Sequence, residues 1–332
     1  MSRNPFAREG VWNGGSVGGR HPVFAKTMSM ILYKTDADNT LVPIREKPFR
    51  LEREMQRLFE QNLEVIMGLE LVKTECTIKN KRIDTLAFDP QIGAFVIIEY
   101  KRDRNTSVFD QGITYLNLML QYKESFLVEY NESLGRNLKR ADVDWSQTRV
   151  VFVSTDFTEN QIEATNFRDL SIELWQVKRY ENHTIAIIPV KKSRTAESIG
   201  QLAGKGDSAI RTVAEEIVTY TEERLLAGKS DETVELYERF RGAILNLTDD
   251  IEVKPLKLYV SFKKEGRSIV SIELQQRNIK LYVNVKSGSL DDPKGMARDI
   301  SSIGHYASGD YEVKAMDDRN LEYIMSLVKQ AL

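Results

Sequence analysis

The sequence predicts an α/β protein, a mixed sheet flanked by helices followed by a smaller α+β domain. Three observations carry this. A helix-period stretch beginning at Phe49 is followed by three extended segments; helices and strands then alternate from Phe109 to Val190. Composition shifts at Lys191–Asp207, where Lys, Arg and Gly accompany several Ser and Thr residues, and a new periodic pattern starts beyond it. With 332 residues, 41% of them hydrophobic, the chain is long and apolar enough for two cores.

Taken in order, residues 1–30 are expected to be a flexible leader. Gly10, Gly14, Gly15, Gly18 and Gly19 mix there with Arg3, Arg8 and Arg20, without the apolar core of a secretory signal, and Met28 and Met30 are alternative starts. The first domain is expected over 31–190. Leu51, Met55, Leu58, Phe59, Asn62, Leu63 and Ile66 share one helical face, and Gly68 ends the run. Strands Leu71–Ile78, Arg82–Phe88 and Ala94–Tyr100 are separated by turn residues at Lys79-Asn80-Lys81 and Asp89–Gly93. One long helix is expected over Phe109–Tyr130, then a strand at Arg149–Ser154, a helix near Glu159–Arg168 and strands at Ile172–Val177 and Thr184–Val190. Residues 191–209 read as a linker. Residues 210–332 read as a helical connector (Ile210–Leu226, Thr233–Leu247) and an α+β domain with strands Lys257–Phe262, Ser268–Leu274, Lys280–Val285 and Asp310–Lys314 before a helix at Asn320–Leu332.

Composition excludes several function classes. Cys76 is the only cysteine, so no intramolecular disulfide or thiolate zinc site exists within the chain. His21, His183 and His305 lie more than a hundred residues apart, which removes local histidine metal motifs. The longest apolar run near Glu99 is Ala94–Ile98, far short of the ~20 residues of a membrane span, so no membrane association and a cytoplasmic location are expected. The 47 Lys and Arg balance 49 Asp and Glu, so nucleic-acid contact requires a local basic patch rather than bulk attraction. Gly228-Lys229-Ser230 lacks the earlier glycine of a phosphate loop, and Gly204-Lys205 is followed by Gly206, so no NTP-driven reaction is supported.

The chemistry concentrates between Arg82 and Tyr115. Side chains at i and i+2 of a strand share a face, so Glu99 and Lys101 emerge together while Tyr100 points away. A pairing turn around Pro90–Gly93 is expected to bring Asp84 beside Glu99. Two converging carboxylates suit a hard divalent cation such as Mg²⁺, and Lys101 is placed to act on a metal-bound water. Gln111 and Tyr115, four apart, share a helix face that looks back at these strand ends. Glu52 lies beside the apolar stripe of the first helix and is a better third acid than Glu54, which is further off on the other flank. The bland alternative for Glu99 and Lys101 is a surface ion pair, worth at most ~1 kcal/mol; for Tyr115 it is a core aromatic, and for Cys76 a small strand residue.

These residues resemble the PD-(D/E)xK nuclease superfamily, in particular its RecB-like and NucS-like branches. The resemblance covers about residues 49–120 and comprises a helix Glu (Glu52 or Glu54), Asp84, Glu99-Tyr100-Lys101 and Gln111-x-x-x-Tyr115; Ile83 stands where the family often has Pro. It implies a restriction-endonuclease-like fold and metal-dependent hydrolysis of DNA, in repair or in defence against foreign DNA. It further implies Mg²⁺ or Mn²⁺ held by Asp84, Glu99, the Tyr100 carbonyl and Glu52, with Lys101 acting on the attacking water and Gln111 orienting Lys101 or the metal shell. Nucleic-acid contacts are expected from Lys79, Lys81, Arg82, Arg102, Arg104 and Tyr115, with Arg136, Lys139 and Arg140 as a second basic stretch.

The segment from Pro255–Phe262 through Asp291-Asp292-Pro293 to Ile303–Tyr306 and the last helix resembles a small domain of unknown function found behind nuclease-like domains. It is expected to serve recognition, or to make a homodimer or bind a protein partner. The rival readings of the whole chain are a non-cleaving nucleic-acid-binding module and a protein-interaction scaffold.

Overall fold

The computed structural model describes residues 31–102, 107–193, 195–203, 208–303 and 307–332. The expected leader, Arg104 and the Gly304-His305-Tyr306 segment lie outside the described residues. Two compact units are present, one ending at Arg45 and one running from Glu46 to Leu332. In the first, β1 (Leu32–Thr35) and β2 (Leu41–Ile44) form an antiparallel hairpin, Leu32 opposite Ile44, which the sequence pattern did not announce.

The second unit opens with α1 (Glu52–Glu60) and α2 (Leu63–Met67), followed by β3 (Glu70–Ile78), β4 (Lys81–Asp89) and β5 (Ala94–Lys101). It continues through α3 (Val108–Gln121), α4 (Lys123–Leu134), β6 (Arg149–Ser154), α5 (Glu159–Thr165), β7 (Ile172–Arg179) and β8 (Ile185–Pro189). The strands form one six-stranded sheet in the order β3-β4-β5-β6-β7-β8. It is mixed: β5, β6 and β7 run parallel, and β3, β4 and β8 pair antiparallel with their neighbours.

Strand β5 explains why the sheet needs helices on both sides. Phe95 and Ile97 join the core that contains Ile113, Leu116 and Met119 of α3 and Phe126 and Tyr130 of α4, while Val96 and Ile98 join the core containing Met55, Phe59 and Leu63 of α1 and α2. An apolar run with a period of two therefore divides between two cores, as buried parallel strands require. The α/β class with a mixed sheet flanked by helices is the architecture observed.

Three expected helices are broken. The first divides at Gln61–Asn62, so Leu51 is exposed and Met67 is buried in place of a continuous stripe. Gly68, with φ 67°, takes the left-handed conformation that closes α2. The 109–130 stretch breaks at Tyr122, which frees α4 to pack over β3, where Tyr130 meets Phe88 and Phe95. The 210–226 stretch becomes α7 (Ser208–Glu216), preceded by α6 (Gly200–Ala203), and α8 (Glu222–Leu226). Described residues of the expected linker 191–209 pack on the preceding strands and helices: Lys192 Nζ donates to the carbonyls of Phe167 and Leu170, and Ile199 lies in the α3-side core, joined beyond the linker by Val213 and Ile217.

The remaining chain comprises α9 (Asp231–Leu245), β9 (Glu252–Pro255), β10 (Val260–Lys264), β11 (Arg267–Leu274), β12 (Ile279–Val283), β13 (Ala297–Asp299), β14 (Tyr311–Ala315) and α10 (Leu321–Val328). Its strands make a second, antiparallel sheet in the order β13-β14-β12-β11-β10-β9, and α9 and α10 contribute Phe240, Ile244, Ile324 and Leu327 to its core. No helix among the described residues is long and apolar enough to cross a membrane.

Helix α3 approaches the sheet closely at Gly112, where an added Cβ would run into Ile172 Cδ1 and lie 2.9 Å from its Cγ1. Gly112→Ala should therefore destabilise the protein by about 1–2 kcal/mol in urea unfolding, overpacking outweighing alanine's helix preference. Combining it with Ile172→Ala should bring the two effects together less than additively, whereas simple additivity would refute the close contact.

Candidate active site

The site lies where β4 and β5 part. Their register runs from Asp89 opposite Ala94 to Thr85 opposite Ile98. One residue further, the ladder gives way to side chains. The backbone N–H of Asp84 donates to Glu99 Oε1 (3.2 Å), and the backbone N–H of Tyr100 donates to Asp84 Oδ2 (3.1 Å). Each acid thus satisfies the backbone of the other's strand. On its other edge β5 keeps its parallel pairing with β6, Glu99 opposite Phe152 and Lys101 opposite Ser154, so the opening is confined to the β4 side.

Glu99 is 2% exposed and its second oxygen is also engaged. Glu99 Oε2 accepts from Lys101 Nζ (3.2 Å) and from Gln111 Nε2 (3.0 Å). Gln111 Nε2 also donates to the Tyr115 hydroxyl (3.2 Å), which in turn donates to the Arg82 carbonyl (2.8 Å). Strand and helix spacings together therefore assemble the cluster Asp84, Glu99, Lys101 and Gln111. The Lys101–Glu99 pair is largely buried, not a surface pair. Tyr115 is 5% exposed, and its hydroxyl bond to the Arg82 carbonyl holds α3 against β4.

Both carboxyls bind protons more tightly than ordinary ones. Burial pushes the Glu99 carboxyl up, and the Asp84 charge beside it adds to the effect; Lys101 and the hydrogen bonds oppose it. Burial likewise raises Asp84, with Glu52 a smaller contribution in the same direction. Two like charges are being held in one desolvated place.

The first helix supplies a second row of partners. Glu52 Oε1 accepts from the backbone N–H of Arg102 (2.8 Å), at the end of β5. Glu54 is turned away and pairs with Arg179 (2.9 Å), so Glu52 is the helix acid on the site's side. Two participants were not singled out from the sequence. Gln56, 7% exposed, donates to the Asp84 carbonyl (2.9 Å) and to Glu60 Oε1 (3.1 Å). Glu60 also accepts from the Thr85 hydroxyl (2.6 Å). Glu52, Gln56 and Glu60 recur every four residues, a one-face signal that would have found them.

Among the described residues no three His, Cys, Asp or Glu side chains converge to hold a metal ion. Asp84 and Glu99 offer two carboxylates. That number fits Mg²⁺, which is commonly held by one or two carboxylates and keeps several waters. Two further observations agree with a cation: the mutual repulsion of the pair, and Gln111 Oε1, a buried acceptor without a hydrogen bond.

Of the expected basic contacts, Lys79, Lys81 and Arg82 are exposed on the turn and first residues of β4. Lys79 Nζ lies 5.1 Å from the Tyr122 ring centroid, and Arg82 pairs with Glu75 (3.0 Å). Arg102 is exposed and donates to the Arg50 carbonyl (2.6 Å). In the second basic stretch, Arg136 pairs with Glu70 and Arg140 with Glu124 (both 2.7 Å), which leaves less charge there for a phosphate. Cys76 is fully buried; burial pushes its thiol up to about 12, as expected of an inert strand residue.

The raised carboxyls have a consequence for stability. Their folded values exceed the unfolded ones, so the stability they contribute is present in acid and lost as pH rises through the folded values. Above that range, in EDTA, Asp84→Asn should make the protein more stable by about 0.5–2 kcal/mol in urea unfolding. A clear loss of stability would contradict the repulsion.

Residues 222–332 match the domain of unknown function DUF5655. A protein of Haemophilus influenzae strain KW20 Rd, described as an uncharacterized protein, is 50% identical over 298 residues, covering 90% of this chain and 98% of the relative. Three solved structures are similar in part. They are a repair endonuclease from Pyrococcus abyssi (22% identity, 40% of this chain and 50% of that one, TM-score 0.23), an EndoMS–dsDNA2 complex (19%, 44% and 64%, 0.23) and Pyrococcus furiosus SfsA in complex with Ca²⁺ (13%, 49% and 84%, 0.25). The match thus spans half the length of the Pyrococcus abyssi chain, and at these TM-scores none of the three carries an argument about this one. The identity and near-complete coverage of the Haemophilus influenzae relative show that this chain belongs to the same family as that protein.

Proposed function

We propose that this protein is a divalent-metal-dependent nuclease that hydrolyses DNA phosphodiester bonds at the Asp84–Glu99–Lys101 cluster. The observation that carries the reading is the convergence of two proton-hungry carboxylates, an ammonium and an amide at the point where the sheet opens. Asp84 and Glu99 would hold Mg²⁺ or Mn²⁺, with Glu52 beside them. The Tyr100 carbonyl would be a third ligand: its N–H faces Asp84, and in an extended strand the C=O of the same residue faces the same edge. When bound, the ion polarises a phosphoryl oxygen and lowers the pKa of a water.

The chain's own residues do the rest. Lys101 presents an ammonium anchored on Glu99, with two further donors for the attacking water or a non-bridging phosphate oxygen. Gln111 fixes the Glu99 carboxylate, and through it Lys101, so it is a positioning residue. Glu52 fastens the end of β5 through Arg102 N–H, and Gln56 fastens the Asp84 carbonyl. Lys79, Lys81, Arg82 and Arg102 would neutralise the DNA backbone around this acidic centre.

The test is cleavage of single-stranded, duplex and branched DNA in Mg²⁺, Mn²⁺ or Ca²⁺. Asp84→Ala and Lys101→Ala should each lower the rate by about 10²-fold or more, and Gln111→Ala by about 10–100-fold. If no DNA is cut by the parent, or if Asp84→Ala cuts equally well, the enzymatic reading fails. Salt-sensitive DNA binding without cleavage would then point to a binding module.

A further inference from the structure

We propose that the second domain binds a phosphorylated ligand of nucleotide size in the cavity between α8, the β9–β10 turn and the ends of β11 and β12. This site is separate from the Asp84–Glu99 cluster and does not rest on the nuclease reading. The cavity, open to solvent on one side, has a volume of about 560 Å³, within the range of ~300–1,000 Å³ common for small-molecule sites.

Its charge is one-sided. Arg224, Lys229 and Lys257 line it against a single carboxylate, Glu273. Glu273 is itself engaged: one oxygen accepts from Gln275 Nε2 and the other from the Tyr282 hydroxyl (2.6 Å). Among the described residues none of the three cations pairs with a carboxylate, whereas Arg239, Arg241, Lys280 and Arg319 of the same domain all do. Lys229 Nζ is anchored on the Leu274 carbonyl (2.8 Å), which uses one of its three donors and holds the ammonium at the cavity wall. Three cations that share one cavity with a single carboxylate already engaged elsewhere suit an anion carrying more than one negative charge, as a phosphate does.

The remainder of the lining mixes the amides of Gln275 and Gln276 with apolar and aromatic side chains. Tyr259 and Tyr282 are 5% and 7% exposed. Their hydroxyls are directed to the Gln91 carbonyl (2.7 Å) and to Glu273, and their rings pack with Leu256, Ile300 and Ala307 in a small apolar cluster that backs the cavity wall. Leu258, 46% exposed, adds an apolar residue to the lining. Phosphate-binding groups beside the amides of Gln275 and Gln276 and the apolar Leu258 match a base or nucleoside joined to phosphate. A free nucleotide and the 5′-phosphorylated end of a strand share this chemistry.

Calorimetry on the full chain in EDTA tests the site without any catalytic metal. The probes are adenosine 5′-monophosphate, adenosine, inorganic phosphate, and one short oligonucleotide with a 5′-phosphate or a 5′-hydroxyl. At least one nucleotide-phosphate probe should bind about tenfold or more tightly than its unphosphorylated counterpart and than inorganic phosphate. Binding of the mononucleotide assigns a free nucleotide; binding of the phosphorylated strand alone assigns a strand end. Lys257→Glu and Arg224→Ala, both exposed positions, should weaken that binding by about tenfold or more with unchanged circular dichroism, and Asp84→Ala should leave it unchanged. The proposal is overturned if neither phosphorylated probe binds at millimolar concentration. It is equally overturned if inorganic phosphate binds as tightly as both, or if Lys257→Glu has no effect.

Discussion

The reciprocal hydrogen bonds between Asp84 and Glu99 are the constraint around which the first domain is arranged. Each carboxylate takes over a backbone N–H that a regular ladder would have satisfied, so the sheet ends between β4 and β5 without an orphaned donor at those two positions. The arrangement places two acids in a desolvated setting that raises both their proton affinities. A structure selected for stability alone would have continued the ladder. Holding the acids together instead requires the neighbouring elements to be rigid, and they are: β5 is paired to β6 along its other edge, and α3 is drawn close to β6 and β7 by Gly112.

Two helices serve the strands from opposite faces in the same way. Helix α3 sends Gln111 and Tyr115, four residues apart, to Glu99 and to the Arg82 carbonyl. Helix α1 sends Glu52, Gln56 and Glu60, again at intervals of four, to Arg102 N–H, the Asp84 carbonyl and the Thr85 hydroxyl. Both ends of the acid pair are thereby fixed by side-chain hydrogen bonds from the two helices. The same architecture separates roles among similar residues: Glu54, two positions from Glu52, is committed to Arg179.

Much of this was legible because it rests on short-range geometry. The period of two in β5 placed Glu99 with Lys101 and against Tyr100, and the tight turn after Asp89 brought Asp84 into register. Spacing of four placed Gln111 with Tyr115. Long-range packing was not legible. The break at Tyr122 has no proline or glycine to mark it; α4 turns there to cover Phe88 and Phe95. Residues 191–209 have a linker's composition, yet Lys192 is drawn onto two carbonyls and burial lowers its ammonium to about 8, an environment only the folded chain supplies. Tyr115 read as a core or boundary aromatic beside a functional alternative, and its burial depends on how closely α3 lies on the sheet. Strands β1, β2, β9 and β13, each four residues or fewer, are too short for a periodicity signal.

The two sheets meet through charge as well as apolar contact. Asp89, at the far end of β4 from Asp84, is buried, which raises its carboxyl, but Arg149, Lys263 and Lys254 outweigh this and hold it below the usual range. Lys254 and Lys263 belong to the second sheet, so the second domain contacts the strands that carry the acids at the end remote from them. We propose the Asp84–Glu99 crossing as a divalent-cation site. Anomalous diffraction from crystals soaked in Mn²⁺ tests it most directly. The expected result is a peak within coordination distance of both Asp84 and Glu99 that disappears in Asp84→Asn. Well-ordered carboxylates that keep their backbone hydrogen bonds, with no peak between them, would contradict it.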